Sequence, residues 1–510
     1  MIVNVSTRAE TFDVSPVAGP VSGWRRMLQD WFVVGGSTIF CHLIGAITAI
    51  LFRMLLSPSQ MGIWQALKLL LSYGGYSNLG ISKGAAREYT IARGRGDTVD
   101  AKRGLNLAFT FNTITSLLYG SVLVGVAIWI GLGSGSWLNT WTIGLVAVGL
   151  LAVLSRYVTF YVTILRSEQA FTVTSRLSIL EGLLTLLVGS LAIWYCGLIG
   201  LYVGTCIVML GALWFIKCQN VIRLSFAWDS AEIKRLITVG GPILLVGTTS
   251  SLFRSLDKLM ILGYMSDCAF QLGCYSLTLM VTTQLFGLGN MLSIVVGPRL
   301  GEKLGYSDSR HEVALLAARS TELQAVAIAL PAALAIVIAP ELLSWLLPDY
   351  KTGIAPISWL IPGVVALSVA LPASQYLIAV NRQRRALVVV LMATCLSAVG
   401  NYIALRCGFG LVGVAASTGA GYIVYFALTI LVSLWPELNS AERLRYLTVL
   451  LVSLVPPISI ALCLEHCWFV PEIWIAKIIA KPILVVVIWG ISVAAIWHRG
   501  GWQNEVKFRA

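Results

Sequence analysis

Charge is scarce in this chain. Only 12% of its 510 residues are Asp, Glu, Lys or Arg, against about 25% in soluble domains. That shortage excludes an ordinary water-soluble fold. The ten cysteines contain no CxxC pair and no zinc-like spacing, so most read as small buried apolar side chains and no metal site is expected. No GxxxxGK[ST] stretch occurs, which removes direct nucleotide hydrolysis as an energy source. The short alternating segments of a membrane β-barrel are also missing. Residues 1–30 are polar, with Asp13, Arg25, Arg26 and Asp30, so no cleavable signal peptide is expected.

Apolar residues fill the space that charge leaves. The chain is 57% hydrophobic with a mean hydropathy of +0.84. The apolar runs approach the roughly 20 residues that cross a bilayer as helix. Fourteen spans are expected, at about 31–52, 62–82, 105–130, 142–165, 171–193, 197–217, 236–262, 270–297, 317–340, 354–379, 386–405, 409–434, 446–464 and 474–497. Trp24–Trp31 reads as a short interfacial helix before the first span.

The net charge of +13 does not imply nucleic acid, because the positive residues sit in alternate loops. Lys83, Arg87, Arg93, Arg95, Lys102 and Arg103 follow span two. Lys217, Arg223, Lys234 and Arg235 follow span six, and Arg382, Arg384 and Arg385 follow span ten. The intervening loops are nearly bare, as 131–141 illustrates. The positive-inside rule then places both termini in the cytoplasm of a multi-pass membrane protein. Cys268 and Cys274 share one predicted outer loop and have the option of a disulfide; Cys463, His466 and Cys467 lie together near another.

A repeat is legible. Val33–Gly36 (VVGG) opens span one and Thr238–Gly241 (TVGG) opens span seven. The six spans between them are an even number, so both halves cross in the same direction, with a site expected at their interface. The expected organisation is a cytoplasmic segment 1–30, a first six-helix bundle 31–218, a linker 219–235, a second six-helix bundle 236–434, an extra pair of helices 435–498 and a cytoplasmic tail 499–510. Span one carries Thr38, Cys41, His42, Gly45 and Thr48 on one face, with Arg53 just beyond. Span seven carries Gly247, Ser250 and Ser251, then Arg254, Asp257 and Lys258 at i, i+3 and i+4. Two such stripes are expected to line a central cavity.

Ionisable groups inside spans are costly and mark pathways by default. Lys68, Arg156, Arg254 and Lys258 are the in-span cations considered, with Arg53 nearer an interface, where a topological anchor competes with a cavity role. Snorkelling or a structural ion pair is the bland alternative for each. Arg156 and Glu181 stand equally far from the turn at Glu168–Gln169, so a pair between them competes with roles in cargo binding or ion coupling. Asp257 has the same ambiguity with Arg254. His42 is a candidate proton-coupling group, although a lone buried histidine is more often a hydrogen-bonded structural residue. Asn112, Gln284, Asn290, Gln375 and Asn401 either bind hydroxyls or join helices. Tyr73, Tyr76, Tyr157 and Tyr161 have surfaces that stack on sugars, yet such residues usually serve as core or interface belt.

Two passages carry a family resemblance. Arg53–Glu88, beginning RMLLSPSQMGIW, resembles the span-one to span-two region of bacterial polysaccharide repeat-unit flippases, in which a basic residue precedes Leu-Ser-Pro, polar residues and Gly. Leu256–Leu277 resembles the matching passage of their second half, with an Asp-Lys/Arg pair. Leu165–Phe171 and Val380–Ala386 match their short basic turns. The likeness covers spans one to twelve. It implies the multidrug/oligosaccharidyl-lipid/polysaccharide (MOP) exporter fold, all α-helical, with two six-helix bundles around a V-shaped cavity and two extra carboxy-terminal helices. It implies translocation, without an enzyme active site, of a polyprenyl-pyrophosphate-linked oligosaccharide to the outer leaflet by alternating access. The implied partners are that lipid-linked cargo, membrane lipids and polysaccharide polymerase or export machinery. The energy source is left open among H+ or Na+ coupling, membrane potential and consumption of product. The rival readings are a peptidoglycan-precursor flippase, a drug exporter of organic cations, whose cavity should be acidic, and a membrane glycan polymerase or ligase, which should carry a sizeable outer loop.

Overall fold

Helix accounts for every regular element among the described residues. The computed structural model describes residues 36, 40–94, 98–134, 139–168, 170–219, 224–307, 309–466 and 474–498. Trp24–Trp31, Thr38, Cys467 and the tail 499–510 lie outside them. In chain order the helices are α1 (Phe40–Leu55), then α2 (Pro58–Gly74), α3 (Ile81–Gly94), α4 (Thr98–Ser134), α5 (Thr140–Ser167), α6 (Phe171–Leu184), α7 (Ser190–Cys218), α8 (Ser230–Phe253), α9 (Leu256–Tyr264), α10 (Cys268–Ser307), α11 (Arg310–Leu346), α12 (Ala355–Val369), α13 (Leu371–Ala379), α14 (Gln383–Arg406), α15 (Gly410–Ser433), α16 (Ser440–His466) and α17 (Trp474–His498). Helix lies on each of the fourteen expected spans. By length and composition alone, eight helical runs among the described residues can cross a membrane, or nine with the bent pair in α8. The protein is a multi-pass membrane protein.

Several spans are broken, and the breaks have local causes. One of the eight runs, Thr172–Cys218, holds two expected spans. A π-helical turn, Thr185–Gly189, joins α6 to α7, and α7 doubles back at Gly197 (φ +55°). Gly200 then lies on the carbonyl of Ala192 and Gly204 on Gly189, the register of a tight antiparallel hairpin. A glycine supplies the left-handed turn. Span two ends early: α2 stops at Gly74, and a turn through Leu79 (φ +51°) and Gly80 (φ +85°) leads into α3. Span seven is split between α8 and α9 by Arg254 and Ser255, with Ser255 at φ −119°, ψ 3°.

Capping explains where α2 begins. Ser57 accepts from the backbone N–H of Gln60, the Gln60 side chain accepts from the Ser57 N–H, and Pro58 occupies the first turn. The Leu-Ser-Pro motif is thus a helix start. Asp229 caps α8 through the N–H groups of Ala231 and Glu232. Those bonds, that of Glu232 foremost, together with Arg103 hold its carboxyl below the usual range.

α2–α7 pack mainly among themselves, as do α8–α15; α16 lies on α11, and α17 on α16 and α11. The two groups meet where α2 crosses α10 and α3 crosses α8. Both crossings are glycine contacts. Gly62 sits on the Ala269 carbonyl and Gly273 on the Pro58 carbonyl. A shift of 211 positions carries Pro58 onto Ala269 and Gly62 onto Gly273, so this seam is reciprocal, as duplicated halves require. At the other end, Gly80 and Gly240 face each other's carbonyls, and Gly84 sits on that of Leu236.

The two ends differ chemically. The basic loops form exposed or half-exposed ion pairs: Arg103–Asp229 at 2.8 Å, Arg235–Glu88 at 2.9 Å, Lys303–Glu312 at 2.6 Å and Arg382–Glu437 at 3.0 Å. Such pairs contribute about 0–1 kcal/mol each. The bare end is tied by buried bonds: Tyr350 donates to the Leu56 carbonyl at 2.8 Å and Arg53 to the Ser276 carbonyl at 2.8 Å. The Cys268–Cys274 disulfide that the sequence left open is not formed. Both thiols are free, because both residues lie on α10 six positions apart and point to different faces.

Candidate functional site

Four of the singled-out cations are brought to the region between the two groups, but they differ in what their charged ends do. Lys68 lies ten residues into α2, about 15 Å along the helix at 1.5 Å per residue. Its side chain is exposed, and it lies within electrostatic reach of Lys258 and Arg53. Ser72, one turn on, is accessible too. Arg254 is exposed at the break of span seven, with its guanidinium 5.7 Å from the Phe286 ring centre on α10. Lys258 is half-buried on α9. These three present charge to the gap.

Arg53 belongs to the same region but is 6% exposed. It donates to the carbonyls of Ala49 and Ser276, both at 2.8 Å. It therefore bridges α1 to α10 in the other group. The shift of 205 positions that carries Val33–Gly36 onto Thr238–Gly241 carries Arg53 onto Lys258 and His42 onto Gly247. The same rank of each half holds a cation, one bonded across the seam and one accessible.

The expected placement of Asp257 is corrected. An unbroken helix would put Arg254, Asp257 and Lys258 on one face. The break at Arg254–Ser255 rotates Asp257 away, leaving it 1% exposed. Tyr275 donates to its carboxylate at 2.9 Å and the Lys258 N–H at 2.8 Å. Arg254 faces Phe286, not Asp257. The accessible charges of this stripe are positive.

The Arg156–Glu181 ion pair is corrected as well. Arg156 is 6% exposed and donates to the Gly75 carbonyl and, at 2.6 Å, to Asn112 Oδ1. Gly75 caps the early end of α2, so the guanidinium satisfies a helix carbonyl left over by the break. Burial keeps Arg156 out of the gap in this conformation. Glu181 stands near Cys41 on α1 instead, half-buried, and its carboxylate has no hydrogen-bond or ion-pair partner among the described residues. Arg156→Ala is expected to lower membrane yield and the melting temperature, since stripping a charged donor from buried acceptors costs about 1.5–3 kcal/mol. Arg156→Lys, which lacks the fork, is expected not to restore them. Fluorescence-detected chromatography on a temperature series checks both.

His42 hydrogen-bonds Gln284 on α10 at 2.7 Å, and its ring packs on Gly287. The polar stripe of span one thus closes on span eight instead of lining a cavity opposite span seven. Span seven makes the equivalent contact with span two: Tyr73 pairs with Ser255, and Tyr76 donates to the Gly247 carbonyl at 3.5 Å. Asn401 bonds Ser417 and Thr418, joining α14 to α15, and Tyr157 donates to Thr113 at 3.1 Å. Asn290 is exposed, and Tyr161 packs in the Phe109 ring cluster.

Lys481 is an in-span cation that the sequence reading passed over. Lys481 on α17 is 6% exposed and stands 3.9 Å from Glu341 and 3.6 Å from Glu465, tying α17 to α11 and α16. Its signal was present, a lysine inside an apolar run. The split of span seven also had a signal, since Ser255-Leu256-Asp257 before an apolar run is a helix-start pattern. Among the described residues no group of three His, Cys, Asp or Glu is placed to hold a metal.

The profile of the family described as "Polysaccharide biosynthesis protein" matches residues 92–350, just over half of the chain. No curated protein sequence matches. Among solved structures, the lipid II flippase MurJ in an inward closed conformation is similar with a TM-score of 0.67 and 13% identity, over 92% of this chain and 99% of that one. A multidrug resistance MATE family transporter of the MOP superfamily, in an inward-facing conformation, gives 0.61 and 14% over 82% and 98%. A MOP superfamily transporter from Pyrococcus furiosus, described by a reversed polarity of its binding pocket, gives 0.58 and 15% over 83% and 95%. At these identities the likeness is one of fold. The all-helical architecture that the family resemblance implied, similar in fold to these transporters, is the one observed.

Proposed function

The chain belongs to the polysaccharide biosynthesis protein family, and from that premise we propose that this transporter-like membrane protein is a flippase for polyprenyl-pyrophosphate-linked oligosaccharide repeat units. The observation that carries the reading is the sign of the gap. Lys68, Arg254 and Lys258 present cations from both groups of helices, while Asp257, the carboxylate nearest them in sequence, is turned away. A diphosphate headgroup cannot cross hydrocarbon unaided, because unpaired charge there is costly. Fixed cations in a water-poor gap offset that cost, with arginine giving forked contacts and lysine a compact charge.

Sugars would follow the headgroup while the polyprenyl tail stays in lipid between the groups. The halves would rock about the two seams, opening the basic end to the cytoplasm and the bare end to the outer leaflet of the inner membrane. If an ion gradient drives the cycle, the unpartnered Glu181 is the carboxylate that H+ or Na+ would meet, whereas His42 is engaged with Gln284. A drug exporter of organic cations would want the opposite charge in the gap. A second reading, a peptidoglycan-precursor flippase, is supported by the length of the fold match to MurJ, over 92% of this chain and 99% of that one. The same cations would serve that cargo.

Complementation separates these readings. In a host lacking its own repeat-unit flippase, the wild-type chain is expected to restore surface polysaccharide. Arg254→Ala, at equal membrane level, is expected to restore less than about a tenth, as loss of one charge-assisted contact worth about 1.5–3 kcal/mol implies. Full restoration by the variant would remove Arg254 from the site. Rescue only of a host lacking its peptidoglycan-precursor flippase would favour the second reading. Resistance to organic cations with neither rescue would overturn both.

A further inference from the structure

Lys83 reads from the sequence as one of six positive residues in a basic loop. Its position is more specific than that. It follows the turn at Gly80 and lies on the first turn of α3. Gly80 and Gly84 press this turn onto Gly240 and Leu236 of α8. From there the Lys83 side chain reaches along α8, and its Nζ stands where a Cβ on Gly247 would be only 3.0 Å away. Gly247 begins the stripe Gly247, Ser251, Arg254, at i, i+4 and i+7 of α8, and Lys258 follows beyond the break at Arg254–Ser255. The ammonium is carried by the first group of helices but stands at the head of the second group's cationic face. From Gly247 to Arg254 is about 10 Å at 1.5 Å per residue, and Lys258 lies beyond the break.

Lys83 is accessible, and among the described residues it has no hydrogen bond or ion pair. Its basic-end neighbours are engaged: Arg103 with Asp229, and Arg235 with Glu88. A lysine that serves only orientation points outward to water or headgroups. This one points along the seam toward the inner cations.

We propose that Lys83 is the first cation to hold a diphosphate headgroup, at a loading position on the basic end from which the headgroup passes to Arg254, Lys258 and Lys68. The proposal rests on the flippase reading and adds a binding residue to it. Spaced cations let a charged group move without ever being left unpaired, since each contact is made before the previous one is given up. Gly247 leaves room for the ammonium.

The test uses inorganic pyrophosphate as probe on the full chain in detergent, with affinity read from the ligand-dependent melting temperature at several salt concentrations. Wild type is expected to be stabilised. Lys83→Gln is expected to melt like wild type without ligand, to bind about tenfold more weakly and to show a shallower salt dependence. Lys83→Arg is expected to restore both. In a single-cysteine background, Lys83→Cys is expected to react with an impermeant thiol reagent from the basic side and to be protected by pyrophosphate. If Lys83→Gln binds like wild type while Arg254→Ala binds weakly, the loading position is overturned and the flippase reading stands. If wild type does not bind pyrophosphate at all, both fall.

Discussion

A valine at Gly273 is expected to abolish restoration of surface polysaccharide, with the protein still inserted in the membrane. The seam at the bare end brings two backbones together with no room for a side chain: Gly273 rests on the Pro58 carbonyl, and Gly62 on that of Ala269. Neither contact can relax by a rotamer change, because the obstacle in each is backbone. Pro58 is further held by the capping box that starts α2. Overpacking typically costs about 1–3 kcal/mol, and about 3 kcal/mol shifts a two-state equilibrium more than a hundredfold. The helices are expected to part, breaking the bonds from Tyr350 to Leu56 and from Arg53 to Ser276 that close this end. A cysteine at position 68 should then react with an impermeant reagent from the bare side. Gly241→Ala is the control, since nothing lies within 4 Å of a Cβ there. Wild-type activity for Gly273→Val would show that this end need not close.

The second large effect is a charge reversal. Lys68, Arg254 and Lys258 give the gap three positive charges. Lys68→Glu with Lys258→Glu would leave one positive against two negative, a net change from +3 to −1. Like charge facing an anionic headgroup costs several kcal/mol, so activity is expected to fall at least about a thousandfold, below detection in complementation. Lys68→Gln with Lys258→Gln should be less severe, because it removes attraction without adding repulsion. Both lysines keep accessible surface, so the doubly substituted protein should reach the membrane at near wild-type levels. Pyrophosphate stabilisation should vanish in the Glu pair and persist weakly in the Gln pair. Equal activity for the two pairs would show that the charge of the gap does not select the cargo.

These expectations lean on features of different legibility. The spans could be read directly, since an apolar run of bilayer length has few alternatives to helix. The repeat could be read from VVGG and TVGG, 205 positions apart; the glycine pair Gly62 and Gly273, 211 apart, does not follow from that offset. Which in-span charges face the gap could not be read so well. Arg156 and Lys68 look alike in sequence, each a lone cation in an apolar helix. They part because α2 stops at Gly74 and its cap Gly75 leaves a carbonyl that Arg156 satisfies, while Lys68 stays accessible within α2. Asp257 was misjudged because helical spacing assumes an unbroken helix, and one residue, Ser255, leaves helical geometry.

The sequence by itself determined the membrane class, the helical character of the apolar runs and the kind of charge carried inside them. These depend on composition and on regularities along one chain, which the bilayer and backbone hydrogen bonding convert into structure without reference to distant residues. Only the tertiary structure decided which cations are free. Arg53 meets Ser276, His42 meets Gln284 and Lys83 meets Gly247 across more than a hundred residues of chain. A buried cation goes to whichever acceptor the packing leaves unsatisfied, and that acceptor exists only once the helices have broken, turned and come together.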